Sequence, residues 1–305
     1  MRPLDDVTAY VRRRQAEVDE ALEHVLPPSP LCPPVLRDAM RYSLTAGGKR
    51  VRPILCLAAA EAVGAPEGIA LRTACALELI HTYSLIHDDL PSMDDDSLRR
   101  GRPTLHIVAG EGMAILAGDG LLTEAFALLS SQTGLEPARV LRTVWVVAEA
   151  AGAGGMVGGQ AIDLATVTAD PSGRRTPALD ADGVATMHAK KTGALIRASA
   201  TAGAIIGGGT DGQIAAIGRA ATEFGLAFQI VDDILDVEGQ AADLGKTPGK
   251  DAAAGKPTYP ALYGLDASRR LAAECVTRAE ASLDAAGLAD SWLLGIGRWL
   301  VQRSN

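Results

Sequence analysis

The chain has 305 residues, 48% of them hydrophobic and 22% charged, a composition that supports a large core and excludes a disordered or collagen-like chain. Aromatic residues make up only 4%, and Lys+Arg of 29 against Asp+Glu of 37 leaves a net charge of −8. Those figures argue against an all-β fold and against a general nucleic-acid-binding surface.

The first helical pattern, Leu4 to Leu26, alternates apolar and charged residues and ends in Leu26-Pro27-Pro28-Ser29-Pro30. It lacks the apolar run of a secretory leader, so a cytoplasmic protein is expected. A second helix is predicted from just after Pro34 to Ala46, where Gly47-Gly48 stops it and leaves Lys49, Arg50 and Arg52 at a junction. Pro53 suits the first turn of a third helix, which runs through Leu55 to Val63. From Ile69 to about Leu90 the spacing puts Leu77, Ile80, Ser84 and Asp88 on one helical face, until Pro91 ends or kinks it. Further helices are predicted over Ile115 to Ser130, Pro137 to Val157, Ala181 to Ile206 and Gln213 to about Val237. Two longer loops interrupt them, Thr166 to Leu179 and Gly239 to Pro257, the second with Lys246, Lys250 and Lys256 and the makings of a lid. No linker or composition shift divides the chain, so one all-α domain over residues 1–305 is expected. No stretch is read as the roughly 20 apolar residues a spanning helix needs, and no stable membrane insertion is expected. Cys32, Cys56, Cys75 and Cys275 form no paired motif and are taken as reduced packing residues.

Two short acidic segments stand out. In Asp232-Asp233-Ile234-Leu235-Asp236 the i, i+4 spacing aligns Asp232 with Asp236, and Gln229 at i−3 joins that face. Like charges there repel, and amid Phe224, Phe228, Ile230 and Val231 they call for a partner. Oxygen ligands without His or Cys favour a hard cation that keeps positions open for phosphate. The other segment, Asp88-Asp89-Leu90-Pro91-Ser92-Met93-Asp94, brings Asp88 and Asp94 together only if the chain bends at Pro91. Each segment alone reads as a helix cap or solvated turn; both on apolar helices read as one metal-dependent diphosphate site. The basic residues cluster to match, at Gly48-Lys49-Arg50-Val51-Arg52, Arg99-Arg100-Gly101-Arg102, Lys190-Lys191-Thr192 and the lysine loop. No P-loop or dinucleotide fingerprint is present.

The segments GGKRVRP (47–53), ELIHTYSLIHDDLPSMDDDSLRRGRPTLH (78–106), LAGDGLL (116–122), MVGGQAIDL (156–164), KTGALI (191–196), FQIVDDILDV (228–237) and DLGKTPGKD…GKPTYPALYGL (243–265) resemble those of the trans-isoprenyl diphosphate synthases, most closely the bacterial farnesyl diphosphate synthases. The motifs occur in family order over about residues 40–265. The resemblance implies a single-domain bundle of long helices around a central cavity, a homodimer, and head-to-tail condensation of isopentenyl diphosphate with an allylic diphosphate. It implies three Mg²⁺ ions, with Mn²⁺ as an alternative, held by Asp88, Asp94 and Asp232, with Asp89 and Asp236 close by. Arg99, Lys191, Thr192, Gln229 and Lys246 would hold the allylic diphosphate; Gly48, Lys49, Arg52, His81 and Arg100 would hold isopentenyl diphosphate; Lys256 would serve lid closure. His87, Asp119 and Asp163 are read as packing or supporting residues.

Tyr83, five residues before Asp88, lies about 7.5 Å farther along the helix and reads equally as a core tyrosine; the resemblance, in which short-chain members carry a bulky aromatic at this position, implies that Tyr83, beside the small Ser84, is the obstruction to a growing chain. A fifteen-carbon farnesyl product is therefore expected, by way of dimethylallyl and then geranyl diphosphate, with a twenty-carbon geranylgeranyl product as the alternative. A terpene cyclase needs no second diphosphate site, and a non-catalytic synthase partner would have lost an aspartate motif; neither fits as well.

Overall fold

A computed structural model describes residues 3–167, 179–238 and 258–302. The loop lysines Lys246, Lys250 and Lys256 lie outside those residues. The described chain is helical apart from one tiny hairpin. Helix α1 (Leu4–Leu22) stops ahead of Pro27 and buries Val7, Tyr10, Val11, Val18 and Leu22, a stripe at helical spacing. Helix α2 (Pro34–Leu44) starts on a proline whose missing N–H costs nothing there. Helices α3 (Val51–Ala62) and α4 (Leu71–Asp88) are apolar all round and buried on nearly every side. A helix of that kind can only be central.

Strands β1 (Leu98–Arg99) and β2 (Arg102–Pro103), joined by a turn with positive φ at Arg100 and Gly101, were not foreseen. Helix α5 (Leu105–Ala109) ends at Gly110, whose φ of 84° lets α6 (Glu111–Ser130) begin earlier than expected. The single helix predicted over Pro137 to Val157 is two: α7 (Pro137–Ala151) and α8 (Met156–Val167). The Gly-rich stretch 152–155 breaks it, and a Cβ on Gly155 would sit 2.1 Å from the Ala150 carbonyl oxygen. Ala181 to Ile206 is helical as predicted, but α9 (Ala181–His188) and α10 (Ala194–Ile206) are joined by a π-helical turn at Ala189–Gly193. Helix α11 (Asp211–Glu238) is the longest described, and α12 (Tyr259–Tyr263), α13 (Leu265–Asp284) and α14 (Trp292–Gln302) follow. The last two lie beyond the region the sequence reading covered.

The core has two main parts. One gathers side chains from α2, α4 and α6; the other joins α1, α10, α11 and α14. Helix α3 divides them, giving Cys56, Leu57 and Ala60 to the first and Ile54, Leu55, Ala58 and Ala59 to the second. Its contact with α10 is backbone on backbone, since a Cβ on Gly203 would meet the Cys56 carbonyl oxygen at 2.0 Å.

Three segments, Glu111–Ser130, Pro137–Thr166 and Asp211–Glu238, are long and apolar enough by composition to cross a bilayer, which corrects the expectation of none. The second is broken by the turn at 152–155, and the third carries Asp232, Asp233 and Asp236 in its last two turns. Only 33% of the apolar window in α6 is buried, and Ile115 and Leu116 on α6, with Ile107 and Val108 on the preceding α5, are exposed.

Candidate active site

Asp88 is the last residue of α4, and the chain turns sharply after it. Met93 and Asp95 donate backbone hydrogen bonds to the Leu90 carbonyl, and the Asp94 N–H donates to the Asp88 carbonyl at 2.9 Å. The bend at Pro91 thus forms as the sequence required, and the side chains of Asp88 and Asp94 line one cavity. Burial, reinforced by the charges of Asp94 and Asp89 and opposed by Lys191 and Arg99, pushes the Asp88 carboxyl up to about 6. Asp89 does something else. Successive helical residues point about 100° apart, so it faces away from Asp88 and grips Arg99 with two-pronged hydrogen bonds of 2.6 to 3.0 Å. The unforeseen hairpin carries Arg99 to that position.

The opposite wall comes from α11. Asp232 lines the same cavity, while its neighbour Asp233 is buried, accepting from the Gln229 side chain at 2.8 Å and from the Tyr259 backbone N–H at 3.0 Å. The Gln229 amide nitrogen, expected on the allylic diphosphate, is here engaged by Asp233. Among the described residues, the cavity walls include neither Gln229 nor Asp236.

Between the walls lies the π-helical turn with Lys191 and Thr192. The wide turn sets its backbone against α8, where a Cβ on Gly159 would stand 2.2 Å from the Lys191 nitrogen; glycine is needed for the approach. Lys191 Nζ donates to Asp163, a buried carboxylate one turn farther along α8. Asp163 therefore holds the lysine head, in keeping with a supporting role. Gln160, which the sequence reading passed over, lines this chamber with a buried side-chain oxygen that has no hydrogen-bond partner. Tyr83 and Ser84 also line it, but the Ser84 hydroxyl donates to the His81 carbonyl at 2.8 Å and is turned toward its own helix.

This chamber, about 580 Å³, adjoins a second of about 780 Å³. Arg52, His81, Arg99, Arg100, Phe228 and Asp232 belong to both. The second is cationic: Gly48, Lys49, Arg52 and Arg100 line it together with His81, bringing together all five residues expected around one diphosphate. Gly48 has φ 143°, and a Cβ there would meet the Arg100 guanidinium at 2.7 Å; the arginine lies on bare backbone. Burial lowers the affinity of Arg52 and Arg100 for their protons, only partly offset by Glu78. Burial also holds His81 well below the usual imidazole range, reinforced by Arg52, Arg100, Arg99 and Arg50. His81 is neutral at pH 7.

Arg50, in the same basic run, is not a ligand candidate. It adopts left-handed backbone (φ 49°) at the start of α3 and spans Asp19 at 2.8 Å, Glu78 at 2.6 Å and the Leu44 carbonyl at 2.9 Å. Those partners fix the loop bearing Lys49 and Arg52. Sequence reasoning missed Glu78, although its position three residues before His81 put it on the face that mattered.

The donor set suits a divalent cation of the magnesium type, with carboxylate oxygens on two walls and cations between them. Among the described residues no three His, Cys, Asp or Glu side chains converge as a ready-made metal site.

A profile of the polyprenyl synthetase family matches residues 33–286. Geranylgeranyl pyrophosphate synthase 7 of Arabidopsis thaliana is 45% identical over 303 residues, covering 98% of this chain and 85% of that protein. The large subunit 1 of the heterodimeric geranylgeranyl pyrophosphate synthase of the same plant is 48% identical over 88% of this chain and 71% of its own length. Among solved structures, an FPP/GFPP synthase from Zymomonas mobilis superposes with a TM-score of 0.84 at 36% identity, covering 98% of this chain and all of its own. A geranyltransferase from Legionella pneumophila gives 0.80 at 31% identity, covering 99% and 96%.

Proposed function

Because the chain belongs to the polyprenyl synthetase family, we propose that its two adjoining chambers hold two diphosphates at once, an allylic one between the aspartate walls and isopentenyl diphosphate among the arginines. The protein is a trans-prenyltransferase. The observation that carries the two-substrate reading is the pairing of a carboxylate chamber with a cationic chamber through shared residues.

Asp88, Asp94 and Asp232 would hold Mg²⁺ ions, three by analogy, with Mn²⁺ as a substitute; a metal held there would supply positive charge to a departing allylic diphosphate. Lys191, steadied by Asp163, and Arg99, steadied by Asp89, place fixed positive charge beside that group. Lys49, Arg52 and Arg100 orient the second diphosphate. His81 offers a hydrogen bond there. As the allylic C–O bond breaks, its electron pair leaves with the diphosphate. The isopentenyl double bond then forms the new C–C bond, and loss of a proton restores an alkene. Phe228, Met156, Leu164 and Tyr83 wall the chamber and keep water from an allylic cation.

For product length we propose farnesyl diphosphate, on the ground that the bulky, buried Tyr83 lines the chamber five residues before Asp88. The geranylgeranyl alternative has the better support from the two Arabidopsis relatives, which are named as a geranylgeranyl pyrophosphate synthase and a subunit of one. Mass spectrometry of the products from isopentenyl and dimethylallyl diphosphates with Mg²⁺ decides both points. A fifteen-carbon end product supports the Tyr83 reading, a twenty-carbon product the alternative, and no condensation refutes the function.

We further propose a homodimer through the apolar surface of Ile107, Val108, Ile115 and Leu116, which is solvent-exposed in the lone chain. A relative is named as a subunit of a heterodimer, so sedimentation of the purified chain is the test. We place the enzyme in the cytoplasm, to be tested by fractionation.

A further inference from the structure

His87 precedes the metal-binding Asp88, yet it has a seat of its own. Its Nε2 lies 3.1 Å from the Ile115 carbonyl oxygen on α6; that oxygen only accepts, so the ring carries its proton there. The seat exists because residue 118 is glycine: a Cβ at Gly118 would stand 2.2 Å from His87 Nε2 and 2.5 Å from Cδ2. Anchored on α6 this way, the imidazole meets Tyr83 edge to face, with ring centroids 5.7 Å apart and planes at 82°. His87 and Tyr83 both line the allylic chamber. An i, i+4 pair on one helix face is thereby tied to a second helix.

We infer that His87, locked onto α6 at Gly118, is a positioning residue for Tyr83 and helps set the length at which chain growth stops. This rests on the prenyltransferase reading above, with Tyr83 as the obstruction. A tyrosine ring alone can swing about its χ1 and χ2 and yield to a growing chain. The imidazole at its edge removes that freedom, and α6 removes it from the imidazole. Gly118 then matters to product length although it lies on another helix from the aspartates and belongs to none of the diphosphate-binding segments.

The test is product length by mass spectrometry, from isopentenyl and geranyl diphosphates with Mg²⁺, for wild type, His87→Ala, Gly118→Ala, the double variant and Tyr83→Ala. His87→Ala should lengthen the main product by at least one five-carbon unit, because Tyr83 can lean into the vacated space. Gly118→Ala is sound for helix stability, but its methyl must push the ring off α6 toward the open chamber. It should therefore shorten the products, raising the fraction that stops early. In the double variant the methyl has no ring to displace, so its products should match those of His87→Ala. Overall rate is read separately, because His87 neighbours Asp88. If Tyr83→Ala lengthens products while both single variants keep the wild-type distribution, the positioning role is refuted and the Tyr83 obstruction stands. An unchanged distribution in Tyr83→Ala refutes both. A Gly118→Ala effect that persists without His87 also refutes the coupling.

Discussion

Asp88-Asp89 ends α4 and Asp232-Asp233 sits inside α11, and in both pairs the first carboxylate faces the chamber while the second turns into the protein. What the second one holds differs. Asp89 closes on the Arg99 side chain, a charge that itself faces the substrate chamber. Asp233 closes on a backbone N–H, at Tyr259, and on the Gln229 amide. In these two pairs the first carboxylate lines the chamber and its neighbour fixes the local frame. In the first pair that frame is electrostatic; in the second it is the path of the chain.

The largest expected effect tests the feature the pairs share. Asp88→Ala and Asp232→Ala should each lower turnover by about three orders of magnitude or more with the helical circular dichroism intact, because each removes a wall of one site. EDTA should mimic them. A variant losing under tenfold would break the symmetry and leave metal binding to the other wall.

The second carboxylates should separate. Asp233→Ala strands a buried N–H, so a stability loss of about 1–3 kcal/mol is expected, visible as a lowered melting temperature. Asp89→Ala frees Arg99, which can reach solvent, so its cost should appear chiefly as a raised KM for the allylic substrate. Equal melting losses with unchanged KM would erase the distinction drawn here.

The cationic residues give the next contrast. Lys49→Ala or Arg52→Ala should raise the KM for isopentenyl diphosphate, and Lys191→Ala that for the allylic substrate, at about 1.5–3 kcal/mol per charge-assisted contact. Initial-rate measurements varying each substrate in turn check this. Identical effects of all three on both substrates would mean that the two chambers act as one.

The two acidic segments that carry Asp88-Asp89 and Asp232-Asp233 are visible in the sequence, as are the bend at Pro91 and the clustering of the cations. Helices α4 and α11 are legible as long, mostly apolar runs rather than by a one-sided periodicity, since α4 is buried on nearly every side. Other features depend on tertiary contact. The β1–β2 hairpin is two residues a side, too short for a periodic signal. The break between α7 and α8 and the π turn at Lys191 depend on how closely glycine backbones approach a neighbouring helix. Arg50 reads like Lys49 and Arg52 until Asp19 and Glu78 are found around it. The exposed apolar face of α6 looks the same in sequence as a buried one.

The smallest effect sharpens the comparison from the first wall. A carboxyl pushed from 3.8 to about 6 binds its proton more tightly in the folded protein than in the unfolded chain. Above pH 6 the folded state therefore carries a charge it disfavours, at a cost of about 3 kcal/mol at most, and about half that after solvent screening of a side chain that borders the cavity. As pH falls through 6 toward 3.8 the folded state takes up the proton first and that cost disappears. Without metal, Asp88→Asn should thus melt higher than wild type at pH 7, and its advantage should shrink steadily to nothing near pH 4. With Mg²⁺ and a diphosphate present the order at pH 7 should reverse, since ligand binding then stabilises only the carboxylate form. A metal-free variant that melts below wild type at pH 7 would mean that Asp88 holds the fold together, as Asp233 does, and would move it to the other side of the comparison.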